Sequence, residues 1–228
     1  MFESLYEYTQ YRLPEDTYHQ DEFNKYHPLR RVTSITDPLI LGIECNHNEE
    51  PSDVEQFAFD ILNEYLQPFS STSPTDAAWQ FNDGLPLNHP DLDEKDQWHP
   101  GPLMEEIWDF MWRLAQQIPH DHPSQERFVQ FIVALRDLPV DIPICIYKTP
   151  HHLWHDLPML EFYMEWWFHT LASNDILTNE NACRRWHSHN ALTACLVHEG
   201  IGLKSVYLEN FTNGRCKFLG RGLSAGTQ

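Results

Sequence analysis

Two successive segments between Leu153 and Val197 carry apolar and aromatic residues at helical spacing, and they constrain the chain more than any other stretch. In the first, Leu160, Tyr163, Met164, Trp167, Phe168 and Leu171 recur at i, i+3, i+4 and i+7, and Phe162 and Trp166 widen that face. A helix apolar around so much of its circumference has to be buried by other elements. Asp156 is placed to be its N-cap, and Pro158 then falls in the first turn, where a missing N–H is harmless. In the second segment, Ala182, Trp186, His189, Thr193, Leu196 and Val197 mark one face of a helix from Glu180 to Val197. Gly200 follows, where a left-handed residue most easily ends a helix.

Three further helices are expected upstream. Ser52-Asp53-Val54-Glu55 is a capping box, in which hydroxyl and carboxylate satisfy opposite backbone donors. It opens a stripe of Val54, Phe57, Ala58, Ile61, Leu62, Tyr65 and Leu66 that Pro68 ends. Leu103, Ile107, Phe110, Met111, Leu114 and Ile118 form the next stripe, from about Pro102 to Ile118, broadened by Trp108 and Trp112. After the link His120-Asp121-His122-Pro123, with Asp121, His122 or Ser124 as cap, a third runs from Ser124 to Leu138. It turns Phe128, Phe131, Ile132, Leu135 and Leu138 inward, and the short link predicts an antiparallel pair. A short sixth helix is expected at Leu203–Asn210.

Elsewhere the pattern is irregular. Residues 1–50 hint only at a short helix near Phe2–Thr9 and at a buried extended piece over Leu39–Ile43. Residues 68–101 hold Pro68, Pro74, Pro86, Pro90 and Pro100 and read as a long loop inserted between helices. Ile142–Tyr147 is apolar, but Pro139, Pro143 and Pro150 interrupt it too often to predict a sheet. Residues 212–228 read as a loose, Gly-rich tail. The expected fold is all-α: a single irregular helical bundle of about five to six amphipathic helices with long Pro-rich connections, one domain over residues 1–228. A chain of 228 residues can bury a self-sufficient core.

The formal net charge is −19, and it is uneven. Residues 1–100 carry 20 acids and 5 bases (net −15), residues 101–200 carry 13 and 6 (net −7), and residues 201–228 carry 1 and 4 (net +3). Such a surface repels a phosphate backbone and an anionic bilayer, so neither nucleic acid nor membrane is an expected partner. No apolar run reaches the roughly 18 residues of a membrane span, and the N-terminus lacks the basic and apolar regions of a secretory signal. The five scattered cysteines, with no C-x-x-C pair, fit reduced thiols in the cytoplasm.

Few residue groupings suggest chemistry. His151 and His155 would share a face at i, i+4 if that stretch were helical, but Pro150 and Pro158 flank it, and surface or structural histidines are the simpler reading. His187, His189 and His198 do not fall on one helical face, so no metal or cofactor is expected. Trp108, Trp112, Trp154, Trp166, Trp167 and Trp186 either pack as core or line a cavity for an apolar small molecule. An acid–base set, if there is one, comes from His155, Asp156, Glu161, Glu165 and His189, with Glu165, His155 and His189 the leading catalytic candidates. Glu165 is named because it sits beside Trp166, where an apolar setting raises a carboxyl pKa toward general-acid use. No G-x-S-x-G, phosphate-binding loop, dinucleotide Gly pattern or Cys/His nucleophile context is present.

Three places carry a resemblance. They are Ile118-Pro119 through the Gln125-Glu126-Arg127-Phe128-Val129 helix to Leu135, then Leu153-Trp154-His155-Asp156-Leu157-Pro158-Met159-Leu160, and Trp186-His187-Ser188-His189-Asn190-Ala191-Leu192-Thr193-Ala194. With them, residues of about 100–200 resemble the fungal helical domain-of-unknown-function family 3632. The resemblance implies a soluble helical protein of filamentous fungi, some of whose relatives lie near secondary-metabolite gene clusters, and it implies no catalytic residues. It also implies a further long helix after Gly200, where this chain has a short basic tail that reads as truncated or misassigned. The expected function is that of a non-catalytic protein binding a protein partner or an apolar small molecule. The alternative is an isomerase- or cyclase-type enzyme, or accessory protein, of secondary metabolism acting in an aromatic-lined cavity.

Overall fold

The computed structural model describes residues 37–43, 50–88, 99–173 and 180–202. Helix α1 spans Asp53–Tyr65, α2 Pro74–Gly84, α3 Pro100–Ala115, α4 Ser124–Arg136, α5 Leu160–Ser173 and α6 Glu180–His198. A 3-10 turn at Pro86–Asn88 and a two-stranded hairpin, β1 Pro143–Ile146 and β2 Thr149–His152, complete the described elements. The fold is mostly α, as the periodicity predicts. The expected short helices at Phe2–Thr9 and Leu203–Asn210 and the tail at 212–228 lie outside the described residues.

Helix α1 starts where its capping box places it. The Ser52 hydroxyl accepts from the Glu55 N–H at 3.0 Å, and the Ser52 N–H donates to the Glu55 carboxylate at 3.2 Å. The end of α6 is equally local. Gly200 has φ +74°, its N–H reaches the Val197 carbonyl at 3.1 Å, and the Ile201 N–H reaches the Leu196 carbonyl at 2.9 Å. That pair of bonds satisfies the last carbonyls of the helix around one left-handed glycine.

Four expectations need correction. The loop expected over 68–101 contains α2 and the 3-10 turn, with residues 89–98 outside those described. Ser73 caps α2 by accepting from the Asp76 N–H at 3.0 Å, and Pro74 occupies the first turn. A proline there starts a helix rather than breaking one. Next, Ile142–Tyr147 does enter a sheet: Pro143 pairs with His152, Ile144 with His151, Cys145 with Pro150 and Ile146 with Thr149. Tyr147 and Lys148, with φ 47° and 67°, make the two-residue turn such a hairpin prefers, and in a two-stranded ribbon a proline can lie with its missing N–H on the outer edge.

Third, α5 begins at Leu160, so Asp156 is not its N-cap and Pro158 is not in its first turn. Asp156 instead accepts the His152 N–H at 2.6 Å, closing a turn after β2, and left-handed residues at Leu157 and Met159 redirect the chain before the helix. Fourth, α3 and α4 are not the close antiparallel pair expected. Helix α4 packs chiefly on α2 and α6, whereas α3 packs on α1, α5, α6 and β1. A short link limits how far apart two helix ends lie but not their crossing angle.

Helix α3 is the centre of the core. Leu103, Met104, Ile107, Trp108, Phe110, Met111, Trp112 and Leu114 are all buried on it. A second cluster joins α1, α2, α4 and the turn after β2 through aromatic contacts. Phe131 of α4 meets Tyr65 at 6.0 Å and Phe81 of α2 at 5.6 Å between ring centres, and Phe81 meets Trp154 at 6.0 Å. Arg113 ties α3 to α1 through Glu55 and pairs with Asp109 at 2.9 Å along its own helix.

Candidate functional site

The residues singled out in the sequence separate into three environments. Trp108 has no exposed surface and donates its indole N–H to the Pro158 carbonyl at 2.7 Å. Trp154 is buried likewise and bonds the Asn82 side-chain oxygen at 2.9 Å. Trp112 and Trp167 are also buried. Trp166 and Trp186 are half-buried; Trp166 stacks on Phe162 at 6.3 Å, and Trp186 lies 5.0 Å from Phe168. His155 is exposed in the turn after β2, Glu165 is half-buried on α5, and His189 is fully buried on α6.

The fold does bring Trp112, Phe168 and His189 together. The His189 ring lies 5.2 Å from Trp112 and 6.5 Å from Phe168, so one residue of α6 is held between α3 and α5. Burial pulls its pKa down to about 4, because a charged imidazole would lose its water there. It is therefore neutral at physiological pH. Among the described residues neither ring nitrogen has a hydrogen-bond partner, and the same holds for Trp112 Nε1, Trp167 Nε1, Thr193 Oγ1 and the Gln116 amide. The Trp167 N–H faces the Asp109 carboxylate without completing a bond. Burial holds Asp109 above its usual range, against the opposing pull of Arg113.

The histidine groupings do not converge. His151 and His152 are on β2, so the helical i, i+4 pairing of His151 with His155 does not arise. His152 pairs with Asp141, which raises its pKa above the usual value, on a solvent-exposed hairpin. On α6, His187 meets His120 at 5.5 Å, His189 is internal and His198 is exposed, three different settings. Among the described residues no group of three or more His, Cys, Asp or Glu is placed to hold a metal ion.

A concavity lies elsewhere, and the sequence reading missed it. It is an open groove of about 920 Å³ between α4 and α6, lined also by Pro74 and Thr75 of α2. Val129, Val133, Ala134 and Leu138 supply apolar lining, and Glu126, Asp137 and Glu199 supply acids. Cys195 and His198 also line it. They are the residue types of a nucleophile–base pair, but burial, then Glu126 and Glu199, push the Cys195 thiol up and away from thiolate character. The groove therefore offers an apolar strip in a negative field rather than an activated nucleophile. The available sequence signal was a second apolar edge, Val129 and Val133, on the predicted helix from Ser124 to Leu138, beside the residues expected to turn inward.

Residues 108–212 match the model of a protein family of unknown function, DUF3632. The DUF3632 match takes in the second half of α3, then α4, the hairpin, α5 and α6, and it agrees with the resemblance read from the sequence. Both helices of the groove lie inside the DUF3632 segment, whereas α1, α2 and residues 37–43 precede it. No curated protein and no solved structure matches the chain.

Proposed function

We propose that this protein is a non-catalytic binding protein of the cytoplasm, folded as one domain, whose α4–α6 groove takes a protein segment with an apolar face and basic flanks. The groove carries this reading: it joins an aliphatic strip to Glu126, Asp137 and Glu199 on a chain of net charge −19. Aliphatic contact supplies affinity, and opposite charge supplies orientation and encounter rate. Cys145, Cys183 and Cys195, free among the described residues, support a reducing compartment. No helix among the described residues is long and apolar enough to cross a membrane.

The test uses a labelled helical peptide of leucine and lysine, titrated with the full chain by fluorescence anisotropy. Binding should weaken at least tenfold in a chain carrying Glu126→Lys and Glu199→Lys, and again in one carrying Val133→Asp. Equal affinity in all three chains would overturn the groove as the site.

The second reading, an enzyme or accessory protein of fungal secondary metabolism acting on an apolar intermediate, has one observation in its favour. Trp166 and Trp186 keep some exposure near Phe162 and Phe168, so an aromatic surface reaches the edge of the α5–α6 pair. Native mass spectrometry of protein from its own host decides between the two. A co-purifying apolar small molecule would favour the second reading, and a mass without one would count against it.

A further inference from the structure

His198, the last residue of α6, and Glu199 after it both line the α4–α6 groove. The chain is held in place where it leaves them. Arg136 at the end of α4 donates to the Glu199 carbonyl at 3.1 Å, and Ile201 is buried. Gly202 then sits beside Met164 of α5, whose Sδ a Cβ there would meet at 3.0 Å. Residues 203–228 continue from this point, outside those described. Their composition is opposite to that of every other segment outside the described residues. Residues 1–36 carry 6 acids and 4 bases, 44–49 carry 2 and 0, 89–98 carry 4 and 1, and 174–179 carry 1 and 0. Residues 203–228 carry 1 acid and 4 bases. Within them, Arg215-Cys216-Lys217-Phe218-Leu219-Gly220-Arg221 sets a Phe-Leu pair between basic residues. The groove sets Val129, Val133 and Leu138 among Glu126, Asp137 and Glu199. The chain thus carries, next to the groove, a segment of the charge and apolarity that the groove complements.

We propose that residues 215–221 of this chain occupy the α4–α6 groove, so that a partner segment has to displace the chain's own tail. This rests on the reading of the groove as a peptide site and adds how that site is regulated. The tail is long enough. Gly202 and Arg215 are separated by 13 residue steps, which span about 43 Å when extended. Helix α4, at 13 residues, is only about 20 Å long. Helix α6 packs on both α4 and α5, so the path from Gly202 back to the groove crosses a single helix, about 10–12 Å wide. A tether of that length holds its end at an effective concentration on the order of millimolar, so a contact of modest affinity fills the groove. Opposite charge draws the tail toward any acidic face of this molecule, and the aliphatic strip selects the groove for Phe218 and Leu219.

The experiment uses the full chain and the same labelled leucine–lysine peptide. Phe218→Ser with Leu219→Ser removes the apolar pair of the tail without changing its charge, and peptide affinity should rise about tenfold. Adding Glu126→Lys and Glu199→Lys to that chain should abolish the gain. Unchanged affinity in the serine variant, while the groove substitutions still weaken binding, would overturn the tail as occupant and leave the groove reading standing. Affinity indifferent to the groove substitutions in both chains would overturn the groove reading, and the tail proposal with it. Zero-length carbodiimide cross-linking of the unmodified chain, read by mass spectrometry, locates the tail directly. The Lys217 amine should join the carboxylate of Glu126, Asp137 or Glu199 within one chain. No such join, or joins of Lys217 to acids outside the groove, would overturn the proposal. Joins found only between two chains would assign the groove to a second copy's tail and overturn it as well.

Discussion

His189 shows what burial does to one side chain. It is fully enclosed between Trp112 and Phe168, and burial pulls its pKa down to about 4 from the usual 6.5. The unfolded chain takes a proton at this position below about pH 6.5, while the folded chain refuses one until about pH 4. Its contribution to stability is thus intact above pH 6.5, falls as pH drops from 6.5 to 4, and is lost below that. The difference amounts to about 3 kcal/mol. In His189→Leu this loss should disappear, and above pH 7 the variant should be close to neutral in stability, because an unpartnered polar group has been removed from the interior. Urea titrations of both chains between pH 4 and 8 measure this. Parallel curves across that range would show that His189 does not control the acid limb.

At the scale of elements, α1 and α2 meet at Gly84 too closely for a side chain there. Gly84 is the last residue of α2, and a Cβ there would lie 2.0 Å from the Phe57 ring of α1. Gly84→Ala would ordinarily gain up to about 1 kcal/mol from helix propensity. Here overpacking outweighs that gain, because the Phe57 ring has to leave its contact with Phe81 at 5.9 Å. The expected net cost is about 1–3 kcal/mol, seen as a lower melting temperature. Adding Phe57→Ala should remove the penalty of the glycine change, and a double-mutant cycle without coupling would refute the account.

Across the whole molecule, charge is the dominant feature. The described basic side chains are largely engaged: Arg113 with Glu55 and Asp109, Arg136 with Asp137, and Arg184 with Glu180. They are far too few to neutralise a net charge of −19, so the folded state repels itself. Raising salt from about 20 to 200 mM shortens the screening length several-fold and should raise the melting temperature by a few degrees. Calorimetry over that range is the check, and a melting temperature that falls with salt would mean that ion pairs outweigh repulsion. Acidification lowers this repulsion while it charges His189 in the unfolded chain, so the two effects oppose each other. That is why the histidine must be read from the difference between two chains.

Five of the six described helices were legible in the sequence, and so was the family resemblance, because both rest on local regularities. The capping box at Ser52, the stripe from Leu103 to Leu114 and the left-handed Gly200 specify themselves over a few residues of backbone and need no knowledge of what packs against them. Proline was the ambiguous letter. Pro74, Pro143 and Pro150 read as breaks, yet one opens a helix and two lie in a hairpin, since a missing N–H matters only where a neighbour needs it. What the tertiary structure alone decided is pairing. It made α3 rather than the aromatic α5 the centre of the core, sent α4 to α2 and α6, set His189 against Trp112, and left a groove between α4 and α6. It also bound the backbone N–H groups of Leu39 and Gly42 to the side chains of Gln67 and Gln117. Periodicity states which face of an element is buried. It cannot state against what, because the answer lies in residues 28 and 75 positions away.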